Sequence, residues 1–183
     1  MRRAEPVFTT WLQREKRRSW RAGAAGVALS LCLATTSASA APSCTVSTPG
    51  LAFGGYDVFA AGVTNGSGTL SVKCNLNPPP GNADVNYTIS LATGSSNSFV
   101  QRKMKSVANA ANTFGYNLYT TNAYAVVWGD GTGSTATISG SMGLKNSNPS
   151  QTNVHTVYGQ IPALQDVAVA NDYKDDVTVT VTY

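Results

Sequence analysis

From Val177 to Tyr183 the chain reads Val-Thr-Val-Thr-Val-Thr-Tyr, an alternation that no helix can gather onto one face. In an extended strand successive side chains point to opposite sides. Val177, Val179, Val181 and Tyr183 therefore share one face, and Thr178, Thr180 and Thr182 share the other. The same period of two returns upstream. Leu70, Val72, Cys74 and Leu76 alternate with Thr69, Ser71, Lys73 and Asn75, and Val85, Tyr87, Ile89 and Leu91 alternate with Asn86, Thr88 and Ser90. Phe114, Tyr116 and Leu118 repeat it, as do Val154, Thr156, Tyr158 and Gln160, although Val157 and Ile161 beside them leave the inward face of that run open. Each run reads as a half-buried strand. Only Val100 to Ala111 fits helical spacing, through Val100, Met104, Val107, Ala108 and Ala111, and one short helical turn is expected there.

Turn signals separate the runs: Asn65-Gly66-Ser67-Gly68, Pro78-Pro79-Pro80-Gly81-Asn82, Gly94-Ser95-Ser96-Asn97 and Gly129-Asp130-Gly131-Thr132-Gly133. Several strands joined by such turns predict an all-β fold, a sandwich of two antiparallel sheets. No linker divides residues 41–183, which are expected to form one domain. The final strand runs to the last residue and holds neither Pro nor charge from Val177 on. Such a strand is expected to leave one side unpaired, open to a strand from another chain.

Residues 1–40 have the plan of an export signal. Arg14 to Arg21 is a basic region, Ala22 to Ala34 an uncharged apolar stretch, and Ala38-Ser39-Ala40 a small-x-small cleavage pattern that sets the mature start at Ala41. The apolar stretch is shorter than the roughly 20 residues of a membrane-spanning helix, so no permanent membrane anchor is expected. Cys32 follows Leu31, where lipid attachment requires a small residue. Lys16-Arg17-Arg18 loosely resembles a twin-arginine signal, but the general secretory route is preferred because the cysteines call for folding outside the cytoplasm.

This leader also accounts for the net charge of +4. It carries seven of the thirteen Lys and Arg and two of the nine acids, which leaves residues 41–183 at −1 with no Glu. Their basic residues are scattered, without the clustered footprint of a nucleic-acid binder. With the leader removed, Cys44 and Cys74 remain, and an even pair in an exported domain reads as a disulfide. Two cysteines and a distant His155 do not make a metal site, and no metal or cofactor is implied.

Catalytic chemistry is not legible. Ser139-Gly140-Ser141-Met142-Gly143 lacks the spacing of a nucleophile elbow. His155 reads as a polar strand residue, and Asp175-Asp176 as a solvated turn that Asp172 could brace. Asp130 lacks the alternating acids and closing Glu of a calcium loop. Aromatic loop residues such as Tyr124 and Trp128 could serve an autonomous secreted binding module; core packing is the alternative for both and is preferred for Trp128.

Eight motifs in order carry a resemblance: Phe53-Gly54-Gly55-Tyr56; Val72-Lys73-Cys74; Tyr87-Thr88-Ile89-Ser90-Leu91 with Gly94; Arg102-Lys103-Met104; Tyr116-Asn117-Leu118-Tyr119; Trp128-Gly129-Asp130-Gly131; Val157-Tyr158-Gly159-Gln160-Ile161-Pro162; and Tyr173-Lys174-Asp175-Asp176-Val177 leading to Thr182-Tyr183. Together they resemble the spore coat protein U domain family, which includes the pilins of Csu-type archaic chaperone-usher pili. The resemblance implies an incomplete immunoglobulin-like sandwich without its last strand. It also implies a non-enzymatic structural or adhesive subunit of a surface fibre or coat. Its partners would be a periplasmic chaperone, an outer-membrane usher and neighbouring subunits, with Val177, Val179, Val181 and Tyr183 beside the gap. Two departures stand out. Asn171 occupies the place of a family Gly, and only Ala41, Pro42 and Ser43 precede Cys44, too few for a donor strand. A position that accepts a strand without giving one, as at a tip, fits the second departure.

Overall fold

The computed structural model describes residues 41–77 and 81–183; the leader and Pro78–Pro80 lie outside the described residues. Among the described residues nine strands follow one another: β1 (Ala41–Ser47), β2 (Thr64–Asn77), β3 (Ala83–Leu91), β4 (Arg102–Ser106), β5 (Thr113–Tyr119), β6 (Ile138–Leu144), β7 (Ser150–Ile161), β8 (Tyr173–Lys174) and β9 (Val179–Thr182). They form a six-stranded sheet in the order β1-β2-β7-β5-β4-β8 and a three-stranded sheet in the order β6-β3-β9. All strand pairs are antiparallel. The fold is the all-β two-sheet sandwich that the alternation predicts. Among the described residues no helix is long and apolar enough to cross a membrane.

The core follows the period of two. Leu70, Val72, Cys74 and Leu76 of β2 face Val85, Tyr87, Ile89 and Leu91 of β3, all buried. Phe114, Tyr116 and Leu118 of β5 extend the core, and Met142 and Leu144 close it from β6. The open question in β7 resolves onto the odd residues. Val157 and Ile161 are buried, whereas Val154 is 62% exposed. Cys44 lies directly opposite Cys74 in the β1–β2 register, and the two form a disulfide.

Two sequence expectations are corrected. Asn65-Gly66-Ser67-Gly68 is not a turn but the first part of β2, paired with Val157 to Gln160 of β7. Its glycines lie where the segment 50–53 crosses the inner face of the sheet. A Cβ on Gly68 would stand 2.7 Å from the Gly50 carbonyl, and one on Gly159 would stand 2.7 Å from Phe53 Cζ. Bare backbone there lets Leu51 and Phe53 pack against the core, and Phe53 meets Tyr116 edge-on at 5.8 Å. Tyr56 extends this packing to Phe114 at 4.7 Å.

The helical spacing of Val100–Ala111 is likewise overruled. Residues 102–106 are strand β4, paired with β5 and β8, and Val100 is 93% exposed. What decides it is Arg102, which is fully buried and opposite Tyr116. Its Nε and Nη2 donate to Ala92 O at 3.1 and 2.9 Å, Nη2 also to Trp128 O at 2.8 Å, and Nη1 to Asn117 Oδ1 at 2.7 Å. A helix at this place would forfeit those bonds and leave the acceptors buried and unpaired, at about 1–3 kcal/mol each. Among the described residues the helical turn is a 3-10 turn at Gly94–Ser96. Asn171, in the place of a family Gly, does not have a positive φ; among non-glycine residues Asn97, Tyr124, Ser134 and Leu164 do.

Candidate functional site

β9 is an end strand of the three-stranded sheet. On one side it pairs with β3 through Leu91↔Val179, Ser90↔Thr180, Ile89↔Val181 and Thr88↔Thr182. On its other side no strand stands among the described residues. The face predicted to be apolar is only partly covered: Val177, Val179 and Val181 pack against the core yet are half-buried, and Tyr183 is 55% exposed. Their partners across the ladder, Leu91 and Ile89, are buried. The difference between β3 and β9 is the lack of a further neighbour, not a difference in residue chemistry.

A second half-buried strip lies on β1, the end strand of the larger sheet, where Cys44 and Val46 pack against the same core. β1 and β9 approach each other across the sandwich. Two end strands with incompletely covered apolar residues thus meet at one corner.

The other sheet ends are built differently. At β6, the Ser141 carbonyl accepts a hydrogen bond from Asn153 Nδ2 at 3.1 Å, and the Gly143 carbonyl accepts one from Gln151 Nε2. Side chains of β7 thereby occupy acceptors that an incoming strand would need. β8 is only two residues long, and its Lys174 pairs with Lys105 of β4. Short, charged edges and blocked acceptors are the devices by which sheets resist edge-to-edge pairing.

The chain enters β9 through a polar corner. Asp172 Oδ2 accepts from the Ala108 backbone N–H at 2.7 Å and the Ser106 hydroxyl at 3.2 Å, and these bonds, the backbone one foremost, hold its carboxyl below the usual range. This is the bracing role expected of it. Asp175 is not the solvated turn residue the sequence suggested. Its Oδ2 accepts from the Tyr116 hydroxyl at 2.7 Å and its Oδ1 from the Ser95 N–H at 2.8 Å. Burial, reinforced by Asp175, raises the Tyr116 phenol far above its ordinary value, so it remains a proton donor here. Burial pushes the Arg102 guanidinium down from its usual pKa. Position in sequence gave no sign of Asp175's role, because its partners lie 59 and 80 residues away.

The remaining candidates disperse. Trp128 is fully buried with its indole N–H donating to Ile89 O at 3.1 Å. Tyr124 packs against Tyr119 and Tyr158 with centroids 5.5 and 6.4 Å away. Asp130 accepts from the backbone N–H and hydroxyl of Thr132, which lower its pKa and close a local turn. His155 bonds the Tyr87 hydroxyl rather than a carboxylate or a serine. Among the described residues no three His, Cys, Asp or Glu side chains gather as metal ligands.

The Spore Coat Protein U domain family model matches residues 30–180. No curated protein matches the chain. Among solved structures, one similar chain comes from a chaperone–tip adhesin complex of CFA/I fimbriae biogenesis, at 13% identity and a TM-score of 0.34. The similarity covers 76% of this chain and 42% of that one, so this chain spans less than half the length of its structural neighbour.

Proposed function

The chain belongs to the Spore Coat Protein U domain family, and from that premise we propose that it is a non-enzymatic structural or adhesive subunit of a bacterial surface fibre or coat, completed by a strand from another protein. In transit the donor would be a periplasmic chaperone acting with an outer-membrane usher, and in the assembly a neighbouring subunit. The observation that carries this reading is β9: an end strand whose Val177, Val179 and Val181 stay half-buried while the β3 residues beside them are buried. A donor with alternating apolar residues would add main-chain hydrogen bonds along β9 and set its side chains over Val179 and Val181.

With the leader removed after Ala40, the first mature residues are already committed. Ala41 and Pro42 pair with Asn77 and Leu76 within β1. That supports a subunit that accepts a strand without giving one, as at the tip or end of a fibre.

The test is a fusion. A donor strand of alternating apolar residues, joined by a flexible linker after Tyr183, should raise the thermal midpoint of the mature domain and its yield of soluble monomer. A domain indifferent to the added strand would mean a sandwich complete by itself. The autonomous binding module would then replace the fibre subunit.

A further inference from the structure

A strand written Val-Thr-Val-Thr-Val-Thr does not specify its own register. A slip of one residue turns every valine to solvent, but a slip of two returns valine to valine and threonine to threonine. In the observed register Val179 faces Leu91 and Val181 faces Ile89. Moving β9 by two places would set Val177 or Val181 against Leu91 with nearly the same pattern. What fixes the register must therefore lie outside the repeat.

The nearest fixed point is Asp175, two residues before Val177. Its carboxylate spans two elements that do not move with β9: the Tyr116 hydroxyl on β5 and the Ser95 N–H in the 3-10 turn. Tyr116 is buried, opposite Arg102, and held edge-on by Phe53. Gly94 makes room for the carboxylate. It has φ +68°, and a Cβ there would stand 2.8 Å from Asp175 Cγ. Beyond Asp175 the first bond to the β3 end joins Ala92 N–H to Thr178 O at 2.9 Å, and the Ala92 carbonyl is itself gripped by Arg102. Both ends of the joint are thus referenced to the larger sheet. A two-residue slip displaces a strand by about 7 Å, which a three-residue connection takes up only by releasing the carboxylate.

We propose that Asp175 is a positioning residue, a register lock that selects one of the equivalent pairings of β9 with β3. Its bearing on strand acceptance rests on the function proposed above, because the register decides which valines a donor meets. The lock itself does not rest on that reading and is tested with no donor present.

The experiment traps registers by disulfides in the full exported chain. Ser90→Cys with Thr180→Cys reports the observed pairing; Ser90→Cys with Thr178→Cys, and Ser90→Cys with Thr182→Cys, report the two slipped ones. With Asp175 in place only the first pair should cross-link efficiently on peptide mapping. In Asp175→Ala, or in the milder Asp175→Asn and Tyr116→Phe, a slipped pair should rise several-fold at the expense of the first. Tyr116→Phe keeps the buried ring, so it decides the matter if Asp175→Ala yields no folded protein. A lower unfolding midpoint with cross-linking still confined to the first pair would overturn the proposal and leave Asp175 as an ordinary stabilising contact.

Discussion

Tyr87 is buried on β3, and its hydroxyl lies 2.8 Å from His155 Nε2 while accepting from Asn153 Nδ2 at 2.9 Å. The hydroxyl and Nε2 share this hydrogen bond, with donor and acceptor set by the histidine tautomer. Burial lowers the pKa of His155. The unfolded chain takes up a proton near pH 6.5 and the folded one only below that, so this stability is present above about pH 6.5 and is lost as pH falls through the folded value. The chain has one histidine. Thermal midpoints are expected to fall between pH 7 and pH 5, and His155→Gln should flatten that slope. A slope unchanged in the variant would assign the pH response elsewhere. At this scale the sequence is least legible. His155 and Tyr87 are 68 residues apart, Arg102 and Trp128 26, and Asp175 and Ser95 80, and nothing in local spacing announces such pairings. Trp128 is the exception, read as core because a large apolar ring is most stable there.

The strands themselves were legible wherever one face met the core and the other met water, because period two is then imposed by burial. β2 and β3 follow the alternation residue by residue, whereas β5 is buried on both faces from Phe114 to Leu118. Failures arose where something else lay on the sheet. Gly66 and Gly68 read as a turn because the segment crossing them comes from fifteen or so residues earlier, and β4 read as helical because a buried arginine broke the apolar pattern. β9 allows a direct comparison of faces. Val179 packs against the core opposite Leu91, whereas Thr180 is exposed. Val179→Asp should lower the unfolding free energy by about 2–4 kcal/mol, since it brings an unpaired charge into a partly buried apolar site. Thr180→Ser should stay within about 0.5 kcal/mol. Denaturant titration of both variants checks the contrast, and equal losses would mean that β9 does not present its valines inward.

For the whole molecule, charge arithmetic and cysteine pairing carried most of the reading: a basic leader ahead of a nearly neutral body, and two cysteines left for the Cys44–Cys74 bond. The leader lies outside the described residues, so its cleavage stands as a prediction. N-terminal sequencing of the exported protein should begin Ala41-Pro42-Ser43. A start upstream of Val27 would instead supply Val27, Leu29, Leu31 and Leu33 as a donor pattern of the chain's own. The architecture separates the sheet ends by fate: β6 has acceptors filled by Gln151 and Asn153, β8 is two residues long, and β1 and β9 converge on one corner. If that corner binds a donor and nothing is donated in return, the protein has a valence of one. A monovalent unit among bivalent ones acts as a chain stopper: each copy consumes one growing end, and its molar ratio to the other subunits sets the mean length of the polymer.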